Sequence, residues 1–246
     1  MTRRYDDKRT IGILGGMGPE ATARMFELII KATAAEKDQD HPKVIIYSNP
    51  EIPPRTDAIF RSGPSPVPLL IEGFQALKRA GAHFMVMPCI TAHHFLEEIR
   101  LEIDFDLIDL VDETRDCICG LSPEVHKVGI LASTGTLQAE IFDQVFERAK
   151  LEIITPTKRT QKKVMKAIFG SKGLKAGFTQ GESKAWLADA AGELIQKGAE
   201  VIVGGCTEIP LALQDEDLPV PFIDPMQGAA AAAVRRAGYP VRGEEK

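Results

Sequence analysis

The sequence predicts an α/β protein made of two pseudo-symmetric parallel-sheet domains related by internal duplication. Three observations carry this. Short apolar runs alternate with helical patterns along the chain, as expected for parallel strands covered on both faces. Ile11-Gly12-Ile13-Leu14 is echoed by Val128-Gly129-Ile130-Leu131, and the run from Gly81 to Cys89 by the run from Gly198 to Cys206. The spacing is constant: Gly12 and Gly129, Gly18 and Gly135, Gly81 and Gly198, and Cys89 and Cys206 are each 117 positions apart.

Each unit then has a common order of elements. The polar residues 1–10 read as a frayed lead-in to a buried strand over 10–14. A helix follows from Pro19, since proline suits the first helical position. A strand over 44–47 runs into a proline-rich loop, 49–68. A helix over 69–80 leads to a strand over 84–87 that ends on Cys89, and a strand over 107–110 closes this half. The second half opens at Val128 and passes through Ile153 to a strand over 201–203 that ends on Cys206. Residues 221–224 and the alanine-rich helix after Pro225 are expected to return to the first unit. That assigns 1–114 plus 214–246 to the first domain, carrying Cys89, and 115–213 to the second, carrying Cys206.

A chain of 246 residues, 44% hydrophobic, can bury one large core or two small ones. With a net charge of −5 and no Lys/Arg-rich face evident, neither nucleic acid nor an anionic membrane is an expected partner. The N-terminus lacks the apolar core of a signal peptide, and no run approaches the ~18 apolar residues that span a bilayer, so a cytoplasmic location is expected. In a reducing compartment the four cysteines, at 89, 117, 119 and 206, should be thiols. No Cys-x2-Cys or His-x3-His pair suggests zinc. Cys117 and Cys119 read as small hydrophobes on a helix.

Cys89 and Cys206 read differently, because ligands of open parallel sheets bind beyond the carboxyl ends of the strands. Two equivalent domains facing across a cleft would set one thiol on each side of a bound molecule. Racemising a carbon needs that arrangement: a base takes the proton from one face, an acid supplies one to the other, and the roles swap for the opposite enantiomer. A thiol suits both roles, with an ordinary pKa of ~8.5 that falls near a helix N-terminus. Thr91 and Thr207 follow the cysteines, where a hydroxyl could cap the next helix or reach the ligand. The weak acidity of an amino-acid α-carbon calls for cations around the developing charge, and Arg55 and Lys175 are the candidates. As bland alternatives, Arg55 is an exposed loop residue and Lys175 one of several lysines between Lys158 and Lys175.

The segments Ile13-Leu14-Gly15-Gly16-Met17-Gly18-Pro19-Glu20-Ala21-Thr22, Met87-Pro88-Cys89-Ile90-Thr91-Ala92-His93 and Gly205-Cys206-Thr207-Glu208-Ile209-Pro210 resemble the aspartate/glutamate racemase family in order and over nearly the whole chain. The resemblance implies a cleft with two opposed catalytic cysteines, no pyridoxal phosphate or other cofactor, an acidic amino acid as substrate and a homodimer. Carried over residue by residue, it implies that Met17 touches substrate and that Asn49 and Arg55 lie in the segment whose arginine holds a side-chain carboxylate. Lys175 would assist it, and Thr134 lies in the matching loop of the second domain. One departure stands out: the family normally has asparagine after the first cysteine, where this chain has Ile90. A second is His94, at a position where the family often has an aromatic. His93 fits the motif, as a loop-orienting residue or as a chemical one.

Other readings compete. Gly16-Met17-Gly18-Pro19-Glu20-Ala21 satisfies the loose dinucleotide pattern, but Pro19 removes a phosphate donor and the second strand ends near Asn49 rather than on an acid for ribose. Ile90 leaves room for an isomerase or decarboxylase of a related carboxylic acid on the same scaffold. A non-enzymatic small-molecule sensor would leave both cysteines idle.

Overall fold

The computed structural model describes residues 8–244, so the expected lead-in over residues 1–7 lies outside it. Two four-stranded parallel sheets form. The first has the order β2-β1-β3-β4, from β1 (Ile11–Gly15), β2 (Val44–Ser48), β3 (Phe84–Val86) and β4 (Leu107–Ile108). The second repeats it as β6-β5-β7-β8, from β5 (Lys127–Leu131), β6 (Glu152–Ile154), β7 (Val201–Gly204) and β8 (Phe222–Ile223).

The duplication extends to individual contacts. A Cβ on Gly12 would meet Ala82, Met85 and Leu77 at 2.9–3.4 Å, and one on Gly129 would meet Ala199, Ile202 and Leu194 at 2.6–3.1 Å. Each of those partners lies 117 positions from its counterpart. Glycine within each first strand therefore lets the neighbouring strand and the preceding helix press onto it. Those helices, α3 (Val67–Arg79) and α9 (Glu182–Gln196), end alike, on Gly81 at φ 95 and Gly198 at φ 98. The left-handed turn directs Ala82 N to Leu77 O and Ala199 N to Leu194 O, both at 3.0 Å.

The remaining helices follow the same logic of apolar stripes at helical spacing. In α1 (Pro19–Ala32), Ala21, Met25 and Ile29 recur every fourth residue and are buried, with Pro19 in the first turn and Lys31 in the last. The loop over 49–68 is less irregular than expected, because it holds the short helix α2 (Arg55–Ile59). A 3-10 turn over Ile90–Phe95 leads into α4 (Leu96–Glu102), and the second half carries α6 (Thr134–Gln138), α7 (Asp143–Arg148) and α8 (Lys158–Phe169).

The two halves exchange their last helices. Each begins at an aspartate that follows the fourth strand and caps the helix: Asp109 accepts from Val111 N at 2.9 Å in α5 (Leu110–Cys119), and Asp224 from Met226 N at 3.0 Å in α10 (Pro225–Arg236). α5 then packs on α7 and β8 of the second half, while α10 packs on α1 and β4 of the first, and the two helices touch each other. The C-terminal segment is thus split, α10 packing on α1 and β4 while Phe222–Ile223 pairs with β7 in the second sheet. One apolar cluster joins both sheets through these helices, from Ile11, Ile13 and Phe84 to Val128, Ile130 and Val203.

Asp224 also clamps this exchange. Its carboxylate, 2% exposed, meets Arg24 of α1 at 2.6 Å. Asp224→Ala would leave Arg24 without its anion and α10 without its cap, and a loss of about 3 kcal/mol is expected. A lowered denaturant midpoint at unchanged slope measures it. Asp224→Asn, which can still cap, should lose less.

Two sequence readings need correction. Cys119 is exposed at the end of α5, and only Cys117 is partly buried, with its sulfur 2.8 Å from where a Cβ on Gly228 would stand. A basic face does exist: α8 carries Lys158, Arg159, Lys162, Lys163 and Lys166 with no acidic residue, a concentration hidden by the overall negative charge. Among the described residues, no helix is long and apolar enough to cross a membrane.

Candidate active site

The strand order decides where a ligand can bind. In each sheet the chain leaves the central strand in opposite directions, toward β2 and β3 or toward β6 and β7, and a crevice opens at the carboxyl ends between them. The loops that follow β1, β3 and β7 meet at a cavity of about 700 Å³ between the halves. Met17, Arg55, Cys89, Ile90, Thr91, Lys175, Cys206 and Thr207 all line it. Sequence positions as distant as Met17 and Thr207 are therefore brought to one place. Asn49 and Thr134 are not among the lining residues.

Backbone geometry accounts for both. Gly16 has φ 97, and a Cβ there would lie 2.3 Å from the Asn49 carbonyl, so the two loops stack by backbone. The Asn49 side chain accepts from Glu51 N at 2.9 Å and shapes its own turn. Thr134 faces α8: its amide donates to Met165 Sδ at 3.1 Å and its hydroxyl accepts from Gln161 at 3.3 Å. The neighbouring hydroxyls reach the other half instead, with Thr91 Oγ1 2.8 Å from Thr136 Oγ1 and 3.3 Å from Ser133 Oγ. Thr207 Oγ1 likewise donates across the halves to Pro88 O at 3.4 Å. Neither threonine caps the following turn.

The loop carrying Met17 is clamped from within. Thr22 Oγ1 accepts from Gly16 N and donates to Gly18 O, both at 2.9 Å. This presents the Met17 carbonyl to Arg55 Nη2 at 3.0 Å and to Lys175 Nζ at 3.3 Å. Arg55 Nη1 also donates to Ile52 O at 3.0 Å and Pro53 O at 2.9 Å. A guanidinium has five N–H donors, so these three bonds hold it in place and, among the described residues, leave two over. Lys175, with bonds to Met17 O and to Glu208, has one of its three donors left over.

The two cysteines, 6% and 8% exposed, sit at equivalent strand ends but in unequal surroundings. The Cys89 carbonyl accepts from His93 Nδ1 at 2.9 Å, and His93 Nε2 accepts from Leu110 N at 3.3 Å. A carbonyl can only accept and an amide can only donate, so His93 is the neutral tautomer protonated on Nδ1, and it orients the Cys89 loop against the start of α5. Ile90 lies between the central core and the cavity wall.

Cys206 Sγ donates to Glu208 Oε2 at 3.0 Å, Thr207 Oγ1 lies 3.3 Å from the same oxygen, and Lys175 pairs with the other one. Burial, and then the Glu208 carboxylate, push the Cys206 thiol well above its ordinary range, against the opposing charge of Lys175. Burial alone would lower the Lys175 pKa, but Glu208 and the nearby cysteines outweigh it and raise the value. Glu208 is 2% exposed and was not singled out by the sequence reading. An acid two residues after a strand-end cysteine was the available signal. Met165 and Phe169, also on the cavity wall, left none, because they reach it from the middle and end of α8.

Comparison with known proteins adds to this geometry. The family profile described as Asp/Glu/Hydantoin racemase matches residues 14–233. The chain belongs to that family. It is 28% identical over 223 residues to the broad specificity amino-acid racemase RacX of Bacillus subtilis (strain 168), covering 87% of this chain and 92% of that one. Among solved structures it is similar to the aspartate racemase of Picrophilus torridus, at TM-score 0.84 and 26% identity over 95% of this chain and 96% of that one. It is also similar to an aspartate racemase homologue from Pyrococcus horikoshii OT3, at TM-score 0.74 and 25% identity over 94% and 99%. Family membership supports an isomerase-type racemase activity on an amino acid, without pyridoxal phosphate.

Proposed function

We propose that the protein racemises an acidic amino acid, aspartate or glutamate, by a two-base mechanism that uses Cys89 and Cys206. The observation that carries it is the meeting of these two thiols, from equivalent strand ends of a duplicated fold, on the wall of one cavity between the halves. One sulfur, as thiolate, removes the α-proton, and the other, as thiol, delivers a proton to the opposite face. Arg55 supports the acidic reading: three carbonyls fix its orientation, and the two donors left over can fork onto a carboxylate. The remaining donor of Lys175 adds a second cationic contact beside the reacting carbon. Asn49 and Thr134 serve by shaping their loops. The homodimer implied by the family resemblance belongs to the same proposal, and sedimentation of the intact chain measures it.

A wider substrate range is a second reading, favoured by the apolar side chains of Met17, Ile52, Met165 and Phe169 on the wall of a cavity of about 700 Å³. Incubation of single enantiomers in D2O without added cofactor tests both. Conversion of L- or D-glutamate or aspartate to the racemic mixture, with deuterium at the α-carbon, is expected. Faster turnover of neutral amino acids would favour the wider reading, and no α-exchange on any amino acid would reject both. Loss of carbon dioxide would instead indicate a decarboxylase.

A further inference from the structure

We propose that Glu208 is a positioning residue that holds the Cys206 sulfur as the thiol in the free enzyme, leaving Cys89 as the base of the resting form. This rests on the two-cysteine reading above.

The sulfurs obey the internal symmetry, but the groups beside them do not. Glu208 lies 117 positions after Thr91, so a carboxylate in one half stands where the other has a hydroxyl. Thr91 bonds to the hydroxyls of Ser133 and Thr136. Glu208, almost wholly buried, accepts from Cys206 with one oxygen and holds Lys175 with the other. Among the described residues no carboxylate bonds to the Cys89 sulfur. The carboxylate can accept a hydrogen bond from a Cys206 thiol, whereas it repels a Cys206 thiolate. Lys175, already paired with Glu208, offsets that repulsion only in part. The other charged groups on the cavity wall, Arg55, Asp57, Glu20 and Glu51, belong to the first half.

The consequence is a directional cycle. In the resting form the Cys89 thiolate takes the α-proton that faces it, and the C–H electron pair stays on the substrate. The Cys206 thiol then gives its proton to the opposite face. Product leaves with Cys89 as thiol and Cys206 as thiolate beside Glu208, the costlier arrangement. Reverse turnover, or a proton taken up from water at Cys206 and lost at Cys89, restores the resting form. Because the equilibrium constant of racemisation is one, kcat/KM must be equal for the two enantiomers. The asymmetry therefore appears as kcat and KM that differ between enantiomers by the same factor, both being larger for the enantiomer that needs the Cys206 thiolate.

Glu208→Gln removes the charge at nearly constant size. The ratio of the two kcat values should move toward one, and the basic limb of the kcat/KM profile should move to lower pH as the Cys206 thiol is freed of its carboxylate. Glu208→Asp, which keeps the charge, should preserve the direction of the inequality. An equal fall in both kcat values, with the basic limb unmoved, is the result of a merely structural role and overturns the proposal. Peptide-resolved alkylation of the wild-type chain by iodoacetamide across pH is an independent arm on which sulfur is the thiolate of the resting form, the two cysteine residues being 6% and 8% exposed. Cys89 should become reactive at lower pH than Cys206, and the reverse order or coincidence overturns the proposal. This arm needs neither a folded variant nor turnover. A chain that exchanges no α-proton therefore sinks the racemase reading, while the alkylation order still decides which cysteine is the base of the resting form.

Discussion

Cys89→Ser and Cys206→Ser should each lower racemisation by at least about 10³-fold, because a hydroxyl is far too weak an acid to supply the needed base near neutral pH. In a two-base mechanism each sulfur is the base in one direction and the acid in the other, so neither direction survives the loss of one. What survives is informative. The remaining thiol can still abstract from its own face, so each variant should exchange the α-proton of one enantiomer with solvent deuterium, and the two variants should favour opposite enantiomers. Cys119→Ser, at an exposed helix end, should leave turnover intact, and Cys117→Ser should cost only stability at the α5–α10 contact. Wild-type racemisation by either active-site variant would remove the mechanism. Exchange of the same enantiomer by both would remove the assignment of opposite faces.

Arg55→Ala should lower kcat/KM for aspartate and glutamate by about 10²-fold, the equivalent of two charge-assisted hydrogen bonds to a carboxylate. Neutral amino acids should lose less. The comparison is needed because Arg55 also has a structural job. It ties the Met17 loop to the Ile52-Pro53 turn through three carbonyls, and in the proposed role its two remaining donors hold the substrate carboxylate at the cavity it lines. An equal loss for acidic and neutral amino acids would mean that the tie alone matters. Arg55→Lys should not restore the acidic substrates, because an ammonium cannot hold three carbonyls and a carboxylate with the same planar geometry.

The fold was largely legible in the sequence, and the candidate site partly so. Strands and helices announce themselves through local period: β1, β2, α3 and β3 begin and end within a few residues of their expected bounds, and α1 begins at the expected Pro19. The 2-residue strand β8 shows why the rest was harder, since so short a run carries no period and its partner is chosen by the path of the chain. Within the site, Cys89 and Cys206 were readable because duplication writes them twice. Glu208 was not, since its counterpart is Thr91 and the repeat breaks there.

What the sequence determined by itself is therefore what is encoded locally or by repetition: two parallel α/β units, a cysteine at the end of the third strand of each, and an arginine in the loop after the second strand. The tertiary structure alone decided which half α5 covers, where β8 pairs, and that Lys175, already a candidate, is held by Glu208. Lys175 is selected because it meets Met17, 158 positions away, and Glu208, 33 positions away, in one partly buried cluster. Such contacts are set by the closure of two sheets around exchanged helices, and the closed geometry, rather than residue type or spacing, turns one lysine among many into a partner of the Cys206–Glu208 pair.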